Sequence, residues 1–252
     1  MNKNNHILEH IGELFQEYTK YRYFTLPSAM TSGAPIPPIQ KEVPRNAVLY
    51  DLPEIQIDTI PSTDSLAVLM HRRISRRDYS KRPLTQQELS FLLWATQGIK
   101  EASSNVSLRI VPSAGARHPF ETYLAINRVD DLPPGLYRYS AINHKLIQLK
   151  TDESFSQQLA ATCLGQQMFV TCAVAFIWTA IIERSRWKYQ QRAFRYIYLD
   201  AGHVCQNLYL ACEALNAGCC AVGAIDDDAV NQLIQVDGQE EFAIYLATVG
   251  KL

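Results

Sequence analysis

The 252-residue chain predicts an α+β domain, one sheet covered by helices. Strand-type and helix-type stretches are mixed without the steady β-α-β alternation of a parallel, doubly wound sheet. No Gly-x-Gly-x-x-Gly follows a first strand and no Walker loop occurs, so a nucleotide held in Rossmann or P-loop fashion is not expected. The length and a composition of 47% hydrophobic and 19% charged residues allow a substantial core.

Each element follows from local pattern. Ile7–Phe24 mixes apolar and charged residues at helical spacing. Seven of the twelve prolines then fall between Pro27 and Pro61, and a residue without an N–H suits neither a helix interior nor a central strand. That stretch reads as an extended arm that lies on its own domain or on a partner subunit; the alternative is a mobile linker. Ser65–Arg73 reads as a helix with Leu66, Leu69 and Met70 on one side. Thr85 followed by Glu88 is a capping box opening a helix through Leu89, Leu92, Leu93 and Thr96, with Gly98 at its end. Glu121–Asn127 reads as a strand, and Gly135–Ser140 with Lys145–Leu149 as a hairpin. Asp152–Leu164 is helical, stopped by Gly165. The apolar run Met168–Ile182 is too short and too β-branched for a membrane span, so Phe169–Ile181 is expected to be a core strand.

A helix from about Arg186 to Tyr198 follows, then a second over Leu199–Ala217. In the latter Ala201, Val204, Cys205, Leu208, Ala211, Cys212 and Leu215 keep the i, i+3, i+4 rhythm and Gly218 closes the end. Leu199, Leu210 and Ala214 lie off that stripe, which makes the helix apolar nearly all round and central. Cys219–Ile225 and Phe242–Val249 are the last strands, separated by a short helix entered through Asp226, Asp227 or Asp228.

Charge and cysteine usage narrow the function classes. A net charge of −1 gives no long-range pull toward nucleic acid or anionic membrane. With no secretory or transit signature, a soluble, cytoplasmic protein is expected. The six cysteines form no Cys-x-x-Cys pair, and no metal site is expected. The seven-residue spacing of Cys205, Cys212 and Cys219 is what one face of a buried helix gives.

Four segments carry candidate chemistry. His71-Arg72-Arg73-Ile74-Ser75-Arg76-Arg77-Asp78-Tyr79 packs four guanidinium groups into six residues. An extended or turning backbone aims Arg73, Ser75 and Arg77 the same way, a fork-rich surface for phosphate; the alternative is a solvated basic turn. Val111-Pro112-Ser113-Ala114-Gly115-Ala116-Arg117-His118-Pro119 is a small-residue loop open to a flat ligand, or a plain surface turn. Lys188 and Tyr189 follow the predicted buried strand. A desolvated lysine can act as a base and a tyrosine can relay or donate a proton, while the alternative is a solvated helix start. Arg192 and Arg195 beyond them are expected to face acidic neighbours or a subunit contact. Cys220-Ala221-Val222-Gly223-Ala224-Ile225 is a small-residue strand end against which something planar can pack.

Taken in order, Arg73-x-Ser75-x-Arg77, the Pro112–Arg117 loop, Lys188-Tyr189 with Arg192 and Arg195, Gly202-His203-x-x-Gln206-Asn207-Leu208, and Ala221–Ala224 resemble the nitroreductase superfamily. Within it they resemble the SagB-type dehydrogenases of thiazole/oxazole-forming peptide maturases. The resemblance spans about Ser65 to Gly250. The Arg-x-Ser-x-Arg signal is general to the superfamily, whereas the Pro-Ser-Ala-Gly-Ala-Arg loop and the Lys-Tyr step belong to the branch.

The resemblance implies a central, mostly antiparallel sheet flanked by helices in an intertwined homodimer, with FMN at the subunit interface. Residues 1–61 would be an N-terminal helix and arm, and 62–252 the FMN-binding domain. Arg73, Ser75 and Arg77 would contact phosphate and ribityl. Pro112, Ser113, Ala114 and Gly115 would line the flavin ring, and Val222, Gly223 and Ala224 would face it near N5. Lys188 and Tyr189 would be the catalytic pair, and Lys251 a further phosphate contact. The implied activity is oxidation of peptide azolines to azoles, with a cyclodehydratase as a partner. Two alternatives stay open: a nitro- or quinone-reducing enzyme using NAD(P)H as electron donor, and a non-catalytic scaffold subunit of a peptide-modifying complex.

Overall fold

The computed structural model describes residues 3–60 and 64–252. Helix α1 (Lys3–Tyr18) and an irregular arm lead to strand β1 (Val48–Asp51). Helices α2 (Leu66–Arg72) and α3 (Gln86–Gln97) precede a small hairpin, β2 (Ile99–Ala102) and β3 (Ser107–Arg109). Strands β4 (Phe120–Ile126), β5 (Gly135–Ser140) and β6 (Lys145–Thr151) form a meander, followed by α4 (Phe155–Thr162) and the single turn α5 (Met168–Thr171). Then come β7 (Val174–Ile181), α6 (Ile182–Tyr189), α7 (Ala193–Ala214), β8 (Ala217–Val222), α8 (Asp227–Leu233) and β9 (Glu241–Lys251).

The main sheet has seven strands in the order β1-β6-β5-β4-β7-β9-β8, every neighbouring pair antiparallel. Its central strands β4 and β7 are buried on both faces, their polar residues included: Glu121 and Thr179 have side-chain partners inside the protein. Alternation along β7 divides the core in two. Val174, Phe176, Trp178 and Ala180 point into one cluster with Leu89, Leu92 and Leu93 of α3 and Val204 and Leu208 of α7. Ala175 and Ile177 point into the other, with Phe155 and Leu159 of α4, Phe169 of α5 and Val230 of α8. Each large side chain buried this way contributes about 1.5–3 kcal/mol, so the two layers hold the sheet between them.

Helix entries follow the sequence closely. Thr85 accepts from the Glu88 amide while the Glu88 carboxylate accepts from the Thr85 amide. Ser65 and Asp226 cap α2 and α8. The fold class, an antiparallel sheet flanked by helices, is as expected.

Several boundaries differ. The apolar run from Met168 does not start as a strand: its first four residues form the turn α5, and β7 begins only at Val174. An apolar run alone does not separate a buried helical turn from a buried strand. The break between the two later helices lies at Gln190, whose φ of +51° interrupts the helix, not near Tyr198. Helix α7 ends at Ala214 with Asn216 in the left-handed region, so Gly218 is not its cap. Gly218 instead sits in β8 paired with Gly250, and Cys219 is a strand residue rather than part of a helical face. Nor is α7 enclosed on all sides, since Tyr198 and Leu199 are each 56% exposed. Strand β1 lies before the expected domain boundary at residue 61 and pairs with β6, so the end of the arm supplies an edge strand. Pro61 itself lies outside the described residues. The hairpin β2–β3 was not legible because its residues are short and mostly exposed.

The proline-rich arm lies on its own domain. The Lys41 amide donates to Glu121, which also accepts from Arg184 at 2.6 Å in a pair almost fully out of solvent. Lys41 Nζ reaches Glu241 at 2.5 Å and the Tyr123 hydroxyl at 2.9 Å.

Candidate functional site

The basic segment after α2 sorts its arginines onto two sides. Arg72 and Arg76 turn toward Glu213, with nitrogen–oxygen separations of 3.8 and 3.9 Å, and Arg72 also pairs with Asp64 at 2.9 Å. Arg73 and Arg77 have no carboxylate partner among the described residues. Ser75 lies between them, its Oγ 2.9 Å from Tyr209 Oη, and the Arg73 guanidinium stands over the Tyr209 ring at 5.2 Å. Tyr209 accepts from the Ala221 amide at 2.8 Å and can donate to Ser75, which leaves the serine proton free for another acceptor. Of the expected trio, Arg73 and Ser75 therefore meet at Tyr209.

The segment is seated on two glycines. The Arg76 amide donates to Cys219 O at 2.9 Å and the Ser80 amide to Lys251 O at 2.8 Å. Between these anchors Tyr79 crosses the Gly218–Gly250 pair, where any Cβ would lie about 3 Å from its ring. The strand end Val222–Ala224 continues from Ala221, so Tyr209 ties it to the basic segment. Gly223 is exposed, with only Tyr245 near the place of its missing side chain, at 4.0 Å. Lys251 is already engaged: Glu88 takes its ammonium in an ion pair. The structure thus leaves no free cation there for the expected phosphate contact.

The Pro112–Gly115 loop is held by a residue not singled out from sequence. Asp200 of α7 accepts from Ser113 Oγ at 2.6 Å and from the Ala114 amide at 3.1 Å, and Ser113 Oγ in turn accepts from the His118 amide at 2.9 Å. Gly115, Ala116 and His118 all have positive φ, at +59°, +52° and +42°. Such torsions cost non-glycine residues about 1–2 kcal/mol each, and they cluster where a loop is shaped for function. Lys188 and Tyr189 meet the loop at its glycine. A methyl group on Gly115 would lie 2.9 Å from Lys188 Nζ and closer still to the Tyr189 hydroxyl. The Lys188 ammonium lies 5.4 Å from the Tyr189 ring centre, and that ring packs edge-on against Tyr196 at 4.7 Å. Burial pushes the Tyr189 phenol above its ordinary pKa, so it is a proton holder at neutral pH.

The two halves of the site are anchored at different places on α7, the Gly115 loop by Asp200 and the basic segment by Tyr209. Asp200 and Tyr209 are two and a half turns apart on α7, on opposite sides of the helix and about 13 Å apart along it. The basic segment rests on one side, at Tyr209, and the Gly115 loop on the other, at Asp200. Arg192 and Arg195 do not face acids as expected. Both bind the N-terminal segment, Arg192 through Thr19 O and the face of the Tyr21 ring, Arg195 through Thr19 Oγ1 and Gln16 O. Asp200, Tyr209 and Glu213 had one legible signal: polar groups on or beside the apolar stripe of a long helix need partners.

Beneath the loop, Arg117 donates to Arg184 O at 2.9 Å and stacks on Trp187 at 5.0 Å. His118, 5% exposed, is held at a pKa of about 3, first by burial and then by Arg109 and Arg117. An unfolded imidazole titrates near 6.5, so between about 6.5 and 3 the unfolded chain binds the extra proton. The stability due to neutral His118 is complete above about 6.5 and lost as pH falls through that window. From pH 7 to 4.5 the wild type should lose about 2–3 kcal/mol more than His118→Asn, a residue that tolerates positive φ. Urea unfolding at both pH values measures this, and equal losses would refute it.

The seven-stranded antiparallel sheet flanked by helices is a nitroreductase-type fold. Residues 69–251 match the model described as the nitroreductase family, and the chain belongs to that family. It is 33% identical over 201 residues to a protein of Methanocaldococcus jannaschii bearing the nitroreductase name, covering 80% of this chain and 98% of the relative. It is 29% identical over 133 residues to the trifolitoxin-processing protein TfxB of Rhizobium leguminosarum bv. trifolii, covering 51% of this chain and 36% of TfxB.

Among solved structures, a nitroreductase-type protein of Ralstonia eutropha superposes with a TM-score of 0.67 at 25% identity, covering 86% of this chain and 98% of that one. A chain of the Escherichia coli microcin synthetase McbBCD complex, solved with truncated pro-MccB17 bound, gives 0.60 at 19%, covering 79% and 78%. A nitroreductase-type protein of Desulfovibrio desulfuricans in complex with FMN gives 0.53 at 16%, covering 75% and 87%. These last two likenesses are of fold alone. Among the described residues no helix is long and apolar enough to cross a membrane.

Proposed function

We propose that this chain is an FMN-dependent dehydrogenase of the SagB type, oxidising peptide thiazolines and oxazolines to azoles. Its FMN-binding domain, residues 62–252, carries an N-terminal helix and arm, residues 1–61. The observation that carries the reading is the meeting of Lys188 and Tyr189 at Gly115, where two proton-handling groups stand at a turn with no side chain of its own. TfxB is named as a trifolitoxin-processing protein, which supports a role in peptide maturation; a cyclodehydratase partner belongs to the same proposal.

The residues fit FMN. A phosphate dianion calls for charge-assisted donors, each worth about 1.5–3 kcal/mol, and Arg73 and Arg77 are free of carboxylates with the Ser75 hydroxyl between them. Val222, Gly223 and Ala224 offer main chain to a ring, with open space at Gly223. When bound, FMN would take the substrate hydride at N5. The protein's own task is the accompanying proton. Tyr189, kept as a phenol, suits donation or relay, and a deprotonated Lys188 beside it would take the proton leaving the azoline carbon. Because the phosphate half and the Gly115 half lie on opposite sides of α7, a homodimer would be needed to bring one chain's Arg73, Ser75 and Arg77 to its partner's Pro112–Gly115 loop. The exposed Tyr198 and Leu199 on α7 favour such a contact.

Lys188→Ala and Tyr189→Phe should each lower azoline oxidation by roughly 10²–10⁴ while nitro reduction with NADH or NADPH stays largely intact. Equal loss of both activities would overturn the assignment. The nitroreductase name of the M. jannaschii relative favours the second reading, an NAD(P)H-dependent nitro or quinone reductase, and nitro reduction by a wild type that oxidises no azoline would select it. A purified protein that stays colourless after incubation with FMN would refute both enzyme readings.

A further inference from the structure

We propose that the arm from Leu26 to Glu42 is part of the working site: it is the strap that holds α6 so that Lys188 and Tyr189 face Gly115, with Trp187 as the positioning residue. The inference rests on the reading of Lys188 and Tyr189 as the pair that handles substrate. The arm lies wholly outside residues 69–251, the span matched to the family.

The arm needs outside donors. Pro35, Pro37 and Pro38 bring carbonyls but no N–H groups, and an irregular segment has no ladder to satisfy them. The domain answers with side chains. Trp187 Nε1 donates to Ala34 O at 3.0 Å and Arg184 Nε to Pro38 O at 2.8 Å. Arg109 donates to Ile39 O at 3.2 Å, and Arg138 to Glu42 O at 2.5 Å. Gln190 reaches Leu26 O at 2.7 Å, and in the reverse direction the Met30 amide donates to Trp187 O at 2.9 Å. Three residues of one short stretch, Arg184, Trp187 and Gln190, thus bind the arm at successive turns.

Trp187 is where the strap reaches the site. Its edge and its carbonyl hold the arm, while its ring face carries the Arg117 guanidinium at 5.0 Å. Arg117 is two residues from Gly115 and also donates to Arg184 O at 2.9 Å. Trp187 is next in sequence to Lys188. Helix α6 has only eight residues and ends at the positive φ of Gln190, so its own hydrogen bonds fix its direction weakly. The arm on one part of Trp187 and the Gly115 loop on another set where the two reactive side chains stand.

The test uses full-length, FMN-loaded protein. Trp187→Phe keeps a ring for Arg117 and removes only the bond to Ala34; Gln190→Ala removes the bond to Leu26 from a half-buried position. Hydrogen exchange should quicken in both 26–42 and 182–190 in either variant, roughly three- to tenfold for one lost hydrogen bond. The ratio of azoline oxidation to nitro reduction should fall by a similar factor, with the bound-flavin spectrum retained; a general folding defect would lower both activities together. Exchange that quickens in the arm alone, with 182–190 and the ratio unmoved, overturns the strap. If the wild type shows no azoline oxidation, the functional reading fails by itself. The strap is then supported by coupled exchange of the two segments and overturned by uncoupled exchange.

Discussion

Replacing Arg73 and Arg77 together by alanine is expected to weaken FMN binding by about 10²–10⁴, two charge-assisted contacts at about 1.5–3 kcal/mol each. The physical reason is the division seen along the segment. Arg72 and Arg76 lie within ion-pair distance of Glu213, whereas Arg73 and Arg77 have no carboxylate that near among the described residues. Arg76→Ala is the matched control. It keeps the Cβ packed on Gly218 and the amide bond to Cys219, and loses only a long-range ion pair. That variant should lose a little stability and bind FMN as before. Titration of each protein followed by flavin fluorescence decides the matter; equal weakening by Arg76→Ala would mean the segment acts as an undivided patch of charge.

The second large effect is expected at Gly115. Gly115→Ala puts a methyl group where Lys188 Nζ lies 2.9 Å away, on a backbone with φ of +59°. The torsion alone costs about 1–2 kcal/mol, or roughly 2–8 °C in melting temperature for a chain of this size. The larger consequence is displacement of Tyr189 and Lys188, and misplacing reacting groups by about 1 Å can cost on the order of 10² in rate. The prediction is a folded protein with azoline turnover at least about 10²-fold down. Gly12→Ala in α1, where nothing lies within 4 Å of the new methyl, should instead be neutral or stabilise by up to about 1 kcal/mol. A Gly115→Ala protein with unchanged turnover would show that Lys188 and Tyr189 do not work at that turn.

Much of the site was legible because its chemistry is local. The alternation of Arg73, Ser75 and Arg77 needs only an extended backbone, and the run of small residues around Gly115 announces a loop without side-chain cover. What stayed hidden was what holds these segments. Asp200, Tyr209, Glu213 and Trp187 lie far along the chain from the residues they fix, and their partners become known only when α7 and α6 are laid on the sheet. Lys251 shows the converse: a cation near the basic segment looks free until Glu88 of the α3 capping box is found beside it.

By itself the amino-acid sequence determined the layers of this protein. Apolar periodicity, capping residues and prolines are short-range physical constraints, and they specified the helices of α3 and α7, the two-sided strands of the core and an arm unable to join their interior. Tertiary structure alone decided which side of α7 each half of the site occupies and that the arm closes onto Trp187. It also decided that the helices break at Gln190. These depend on hydrogen bonds and contacts between residues remote in the chain, whose free energy exists only once the sheet has brought them together.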